Sequence, residues 1–383
     1  MTQPTTHDPR DGHKTITRLI IKRVHFTSAF NIIKLSPFKK DNAESQNKPE
    51  KEKENKEKNK MKIERYMTVF LTLVFTCRAA SRDNRNNRPI IGVMAQSTEG
   101  ESFAKFGDSY IAASYIKYLE SSGARVVPIM NDLNEEEAEK LFYSINGALF
   151  PGGGVSVQTS GYARIGKQFF TLAKKSYDKG DYFPVWGTCL GNEFLSVMAS
   201  NDANILSTTD SENYTIPLNF SSNYRDSKLF RDISDDLAKF VSSAPTTINM
   251  HQYSVLLSKF KKNDNISKFF RILSTNNDRN GKTFVSTMEG IRYPIYGIQW
   301  HAEKNSFEWN LNENIPHQAM SIRLTQYMSN FFVNEARSSQ HKFPTLKEEA
   351  AALIYNYSPF YTGNISNFEQ CYIFKSKTIH VEH

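Results

Sequence analysis

The sequence predicts an α/β fold: a mostly parallel central sheet flanked by helices, with added antiparallel strands toward the C-terminus. Between Arg88 and Cys189, apolar runs of strand length alternate with helical patterns over short connections, the signature of parallel strands joined by crossover helices. Two of these runs end in special turns, a Pro-Gly-Gly-Gly at 151–154 and a Gly-x-Cys-x-Gly at 187–191. From Thr246 to Trp300, strand-like runs follow one another with a hairpin turn at Asp278–Gly281.

In chain order, RPIIGVMAQ from Arg88 reads as a buried strand. Ser109 to Ser122 sets Ile111, Tyr115 and Leu119 on one helical face and stops at Gly123, so a helix is predicted there. RVVPIM is the second strand. Asn134 to Ile145 opens with a capping residue and an acidic first turn, then carries Leu141, Phe142 and Ile145 as an apolar stripe. GALFPGGG is the third strand running into glycines, Arg164 to Lys179 the next helix, and FPVWG the fourth strand, ending at Cys189. Further on, Thr246–His251, Phe269–Ser274, Thr283–Met288 and Ile295–Trp300 read as strands, and Pro316–Arg337 and Leu346–Tyr355 as helices.

The 383 residues carry a formal net charge of +8, which suggests a nucleic-acid partner until the charge is located. Residues 1–66 hold 16 Lys/Arg and 9 Asp/Glu, so 16 − 9 = +7 lies there and about +1 remains for the rest. A nearly neutral folded part lacks the basic face that nucleic acid requires. Residues 1–60 form a polar and basic extension whose second half, DNAESQNKPEKEKENKEKNK, cannot bury enough apolar surface to fold. Residues 61–80 have basic residues, an apolar run from Met67 to Cys77 and small residues after it, the layout of a signal peptide cut after Ala79 or Ala80. That run is too short to span a bilayer, and no membrane is expected to hold the mature chain. Translation of the functional form is expected to start at Met61 or Met67. The folded domain is expected over 88–375.

Three cysteines, Cys77, Cys189 and Cys371, exclude a disulfide framework, and no Cys/His spacing suggests a metal site. Cys189 sits where a strand passes into a helix. Flanking glycines permit a strained turn that presents the side chain, and the helix N-terminus favours thiolate over thiol, so an ionised nucleophile is expected. The contrary reading of a lone Cys is a small buried hydrophobe. A thiol nucleophile needs a base, and beyond residue 80 the histidines are His251, His301, His317, His341, His380 and His383. His301 follows the apolar strand IYGIQW, with Glu303 two residues on to orient its ring. Backbone N–H groups of Leu190 and of Gly152 or Gly153 are the candidates to hold a developing oxyanion.

PGGG, WGTCLG and GIQWHAEK, in that order, resemble the class I glutamine amidotransferase superfamily, whose members use a Cys-His-Glu triad for amide cleavage. Within it, IAASYIKYLESSGARVVP, SINGALFPGGG, DYFPVWGTCLG, FVSTMEG, FFVNEAR and SPFYTGNIS look like the gamma-glutamyl hydrolase family, secreted and lysosomal peptidases acting on folate poly-gamma-glutamates. The resemblance implies Cys189 as nucleophile, His301 as proton donor and acceptor, Glu303 as its orienting partner and His251 as a substrate-pocket residue. It also implies a small-molecule substrate, no cofactor and a homodimer. Ala302 stands where the family commonly has Pro, and Gly154 where it has a side chain. The alternatives on the same scaffold are a glutamine amidotransferase subunit and a non-catalytic secreted binding protein. Sequons at Asn213, Asn219, Asn265 and Asn364, with a fifth at Asn356 weakened by Pro359, join the signal layout in predicting a glycoprotein of the lysosome and extracellular space.

Overall fold

In the computed structural model, residue 54, residues 57–68 and residues 85–376 are described. The chain divides into two units at residue 77. In the first, residues 57–68 are helical and exposed; most of the expected apolar signal run, its cleavage point and Cys77 lie outside the described residues.

The second unit is built on an eight-stranded sheet. Its strands are β1 (Ile90–Met94), β4 (Arg125–Ile129), β5 (Gly147–Phe150), β6 (Val185–Thr188), β8 (Asn219–Phe220), β10 (Phe270–Asn277), β11 (Thr283–Gly290) and β12 (Ile295–Ile298). The order is β4-β1-β5-β6-β12-β11-β10-β8. The first five run parallel, and β11, β10 and β8 are added antiparallel. Strand periodicity assigns each apolar side chain to one of two cores. Ile91, Val93, Leu149, Trp186 and Ile298 lie in one. Ile90, Met94, Ala148, Phe150, Val185 and Ile295 lie in the other. Helices α1 (Ala113–Glu120) and α9 (Ala319–Ala336) pack in the first, α2 (Glu135–Phe142), α3 (Gly161–Asp178) and α4 (Leu190–Ser200) in the second. Asn134 caps α2 through a capping box with Glu137, as its acidic first turn predicts.

Two smaller sheets flank this body. β2 (Gln96–Ser97), β3 (Ser109–Ala112), β13 (Phe360–Tyr361) and β14 (Gln370–Phe374) form one, in the order β13-β14-β3-β2. β7 (Leu206–Ile216) and β9 (Thr247–Val255) form the other. The helix expected from Ser109 is therefore corrected: Ser109–Ala112 is strand β3, paired with β14, and α1 begins only at Ala113. Strand β7 has no counterpart in the sequence reading, because its LSTTDSENYTI offers no apolar period to detect. The helix expected to Tyr355 ends as α10 (Leu346–Ala352).

Candidate active site

Four adjacent parallel strands, β1, β5, β6 and β12, deliver Gln96, Gly152, Cys189 and His301 from their carboxyl ends, where open α/β sheets place their ligands. Cys189 joins β6 to α4 at φ +51°, ψ −107°, a region that costs a non-glycine residue about 1–3 kcal/mol. Its N–H donates to Ile298 O at 2.8 Å, and its carbonyl accepts Glu193 N–H at 2.9 Å to begin the helix. The flanking glycines are required by contact. A methyl on Gly187 would stand 2.6 Å from the Gly191 carbonyl, and one on Gly191 would stand 2.0 Å from Phe150 O. The elbow read from the sequence is thus formed, with backbones touching on both sides.

His301 and Glu303 are 5% and 2% exposed, and Glu303 Oε1 lies 2.6 Å from His301 Nδ1. Nε2 of the same ring is buried with no hydrogen-bond partner among the described residues. The ring therefore has one nitrogen fixed and the other free toward the site. A methyl on Gly152 would sit 2.6 Å from His301 Cε1 and 3.2 Å from Cys189 Cβ, so the two side chains converge on either side of this glycine. Gly154 has open space around it, so the departure at this position displaces nothing.

Sequence reasoning missed two residues here. Tyr115, taken for part of an apolar helical face, is buried with its hydroxyl accepting the Gly152 N–H at 2.8 Å and lying 3.3 Å from His301 Nδ1. Burial, and then the Glu303 carboxylate, hold that hydroxyl protonated. Gln96 donates to Gly152 O at 2.7 Å, and a methyl on Gly153 would overlap its Oε1. Gln96 opens β2, just past the end of β1, and reaches this turn across 56 residues of chain, so no local signal marks it. Because Tyr115 occupies the Gly152 N–H, Gly153 is the glycine of the pair whose N–H has no such partner among the described residues.

The electrostatics at sulfur differ from expectation. Leu190 N–H bonds Cys189 and favours thiolate, as the helix start predicts. Burial opposes it more strongly, followed by the Glu193 charge, and the thiol is pushed well above its ordinary value. Burial and the Glu193 charge therefore work against the ionised sulfur that the helix start alone would favour. Glu193, one turn into α4, accepts from Gln299 Nε2 at 2.9 Å, and burial raises it to about 8. Cys371 is buried in β14, pushed up to about 12 by burial, and unpaired like Cys189.

Cys189 stands where two clefts meet. One, about 420 Å³, is lined by His301, Lys304 and Glu313; the other, about 810 Å³, by Leu190, Glu193, His251 and Lys259. Gly153, Gly154, Glu212 and Met250 border both. A larger groove of about 930 Å³ is lined by Asn219 but by none of the chemical residues. His251 borders the second cleft but is 3% exposed, its ring nitrogens facing Thr209 Oγ1 at 3.4 Å and Asn249 Oδ1 at 3.2 Å. Burial first, then the neighbouring His301, hold it neutral, down to about 3.

A buried thiol on a strained elbow, beside an imidazole oriented by a carboxylate, defines a cysteine peptidase-type site on an α/β sheet. In agreement, the Peptidase C26 family model matches residues 89–303. The chain is 48% identical to the Gamma-glutamyl hydrolase of Homo sapiens over 288 residues, 75% of this chain and 90% of that protein. It is 38% identical to Gamma-glutamyl hydrolase B of Dictyostelium discoideum over 315 residues, 82% and 91% of the two chains. The chain belongs to the gamma-glutamyl hydrolase family. A solved glutamine amidotransferase from Thermotoga maritima aligns with 65% of this chain and 98% of its own at 12% identity and a TM-score of 0.38.

Proposed function

We propose that this protein hydrolyses gamma-glutamyl amide bonds in folate poly-gamma-glutamates, with Cys189 as nucleophile. The observation that carries the reading is the convergence of the Cys189 elbow and the Glu303-oriented His301 across Gly152. His301 Nε2 takes the thiol proton as sulfur attacks the gamma-carbonyl carbon, so no preformed thiolate is needed. The N–H groups of Leu190 and Gly153 hold the oxygen that gains charge. Collapse expels the glutamate nitrogen, which takes the proton from His301, and leaves a thioester on Cys189. Water, deprotonated by His301, releases the acyl group and restores the thiol. Glu303 keeps the ring in the tautomer that leaves Nε2 free, and Tyr115 fixes both Glu303 and the Gly152 turn. His251 shapes the substrate pocket.

Incubation with folate pentaglutamate and chromatography of the products tests this. Shortened folates and free glutamate or glutamate oligomers are expected, whereas an intact pentaglutamate after prolonged incubation rejects the assignment.

The same reading includes secretion to the lysosome and extracellular space, glycosylation and a homodimer. The exposed Asn219, Asn265 and Asn364 support modification. Asn213 is half-buried, its amide contacting the Asn312 carbonyl and Asn314 N–H. Expression in a secretory eukaryotic cell should give a mass drop on glycosidase treatment and twice the protomer mass in solution. An unglycosylated cytosolic monomer would contradict all three.

A further inference from the structure

A gamma-linked glutamyl residue keeps its α-carboxylate free, so every residue of a gamma-glutamyl chain brings an anion close to its scissile carbonyl. The cleft containing Cys189 and His301 is poorly suited to anions at first sight, since Glu101, Glu212 and Glu313 line it. Lys304 is the one Lys or Arg among its lining residues. It follows Glu303 directly in the chain, is 3% exposed, and opens the short helix α8 (Lys304–Phe307). Its position is therefore tied to the His301–Glu303 pair.

The ammonium has three N–H donors. Its hydrogen-bond acceptor among the described residues is Glu313 Oε2, at 2.9 Å, with the Phe368 ring 5.3 Å away. Both charged side chains are 4% exposed. Glu313 Oε1 is buried without a hydrogen-bond partner among the described residues. A buried ion pair with one carboxylate oxygen unsatisfied is an expensive arrangement, because desolvation is only partly offset. Glu313 lies in residues 308–317, which contain no helix or strand, and Leu311 in that stretch is fully exposed. Water is thus close at hand for a Glu313 that leaves the pair. The cation of the second cleft, Lys259, is already held by two backbone carbonyls, Asn204 O and Leu206 O at 2.7 and 3.0 Å.

We propose that Lys304 receives the α-carboxylate of the glutamyl residue whose gamma-carbonyl is attacked, and that Glu313 holds this place in the unliganded protein as an internal carboxylate that substrate displaces. This deepens the reading given under Proposed function and rests on it. Glu313 keeps the lone cation of an acidic cleft neutralised until a carboxylate of the right reach arrives. Neutral side chains in the same position gain nothing by displacing it, so the exchange selects for gamma-linked over α-amidated glutamyl residues.

The test compares pteroyl-di-gamma-glutamate with the analogue whose inner α-carboxylate is a carboxamide. Wild type should prefer the carboxylate by about 10- to 100-fold in kcat/KM, the range expected for one charged hydrogen bond. Lys304→Met should bring that ratio close to one, through KM. Glu313→Gln should lower KM for the carboxylate roughly threefold or more, because the self-occupied state no longer competes. Lys304→Met alone buries an unpaired Glu313, so the double variant Lys304→Met, Glu313→Gln restores charge balance and should show the same lost ratio. A wild-type ratio retained by the double variant overturns the proposal, as does a wild type that cleaves both substrates with equal KM. Failure of wild type to cleave either substrate instead overturns the hydrolase reading itself.

Discussion

The Tyr115 hydroxyl accepts the Gly152 N–H at 2.8 Å and lies 3.3 Å from His301 Nδ1, the nitrogen that Glu303 approaches to 2.6 Å. One oxygen thereby couples the glycine turn after β5 to the base delivered by β12. Removing it in Tyr115→Phe leaves the Gly152 N–H without its acceptor and frees the ring to reorient. Turnover should fall by about 10- to 100-fold with KM little changed, since the loss is of positioning. Steady-state kinetics check this, and an unaltered kcat would show that Glu303 suffices alone.

The glycines at 152 and 154 should respond oppositely to one methyl group. In Gly152→Ala the new carbon would stand 2.6 Å from His301 Cε1, so His301 must move. A displacement near 1 Å at the reacting groups costs about 10²-fold in rate. Gly154→Ala meets nothing within 4 Å and should keep wild-type turnover. Equal activity of the two variants would place the chemistry elsewhere.

Cys189→Ser should bind poly-gamma-glutamates without cleaving them, because the weakly acidic hydroxyl is a far poorer nucleophile than sulfur in this site. Mass spectrometry of acid-quenched wild type should find an acyl group on Cys189. Iodoacetamide should label Cys189 ahead of Cys371, which is wholly enclosed in β14 and lines neither of the two clefts that meet at Cys189. Close to wild-type hydrolysis by the serine variant would contradict the nucleophile assignment.

His301→Asn and His251→Asn should separate by parameter. General acid–base help is typically worth about 10²–10⁴-fold, so the first should lose kcat by that order. His251 is buried against Thr209, Asn249 and Phe284, and its replacement should act mainly on KM. Equal losses of kcat with unchanged KM in both would refute this division.

Glu193 and His251 give stability opposite pH slopes. Glu193 is raised from 4.5 to about 8, so the folded protein keeps a proton that the unfolded chain releases, and stability falls as pH rises through that window. His251 is lowered from 6.5 to about 3, so the unfolded chain takes up a proton that the folded protein refuses, and stability falls as pH drops through that one. Between pH 4.5 and 6.5 the two slopes offset each other, so Glu193→Gln should abolish the loss between pH 6.5 and 8, worth at most about 2 kcal/mol. Thermal midpoints across that range check it. A profile as steep as wild type would mean that Glu193 ionises freely.

Period and punctuation in the chain were enough to locate the parallel strands and the two turns that end β5 and β6. Cys189, His301 and the glycines lie at strand ends in the sequence itself, because the apolar runs before them stop abruptly at Gly, Cys or His. Those are local properties, written within a dozen residues. The strand at Ser109–Ala112 was read as helix since Ile111, Tyr115 and Leu119 keep helical spacing; its partner β14 lies more than 250 residues away and overrides that preference. Strand β7 is polar along most of its length and exists through its ladder with β9.

The same division holds in the site. The sequence by itself determined which groups can act, a thiol, an imidazole and a carboxylate, and which strand ends carry them. Tertiary structure alone set the balance at the sulfur, because desolvation depends on everything packed around it and outweighs the single Leu190 N–H in pushing the thiol upward. It alone brought Tyr115 from α1 and Gln96 from β2 onto the Gly152 turn, and paired Lys304 with Glu313 inside the cleft. Contacts of this kind join residues whose separation in the chain carries no period, so they are set only when the sheet order brings distant strand ends side by side.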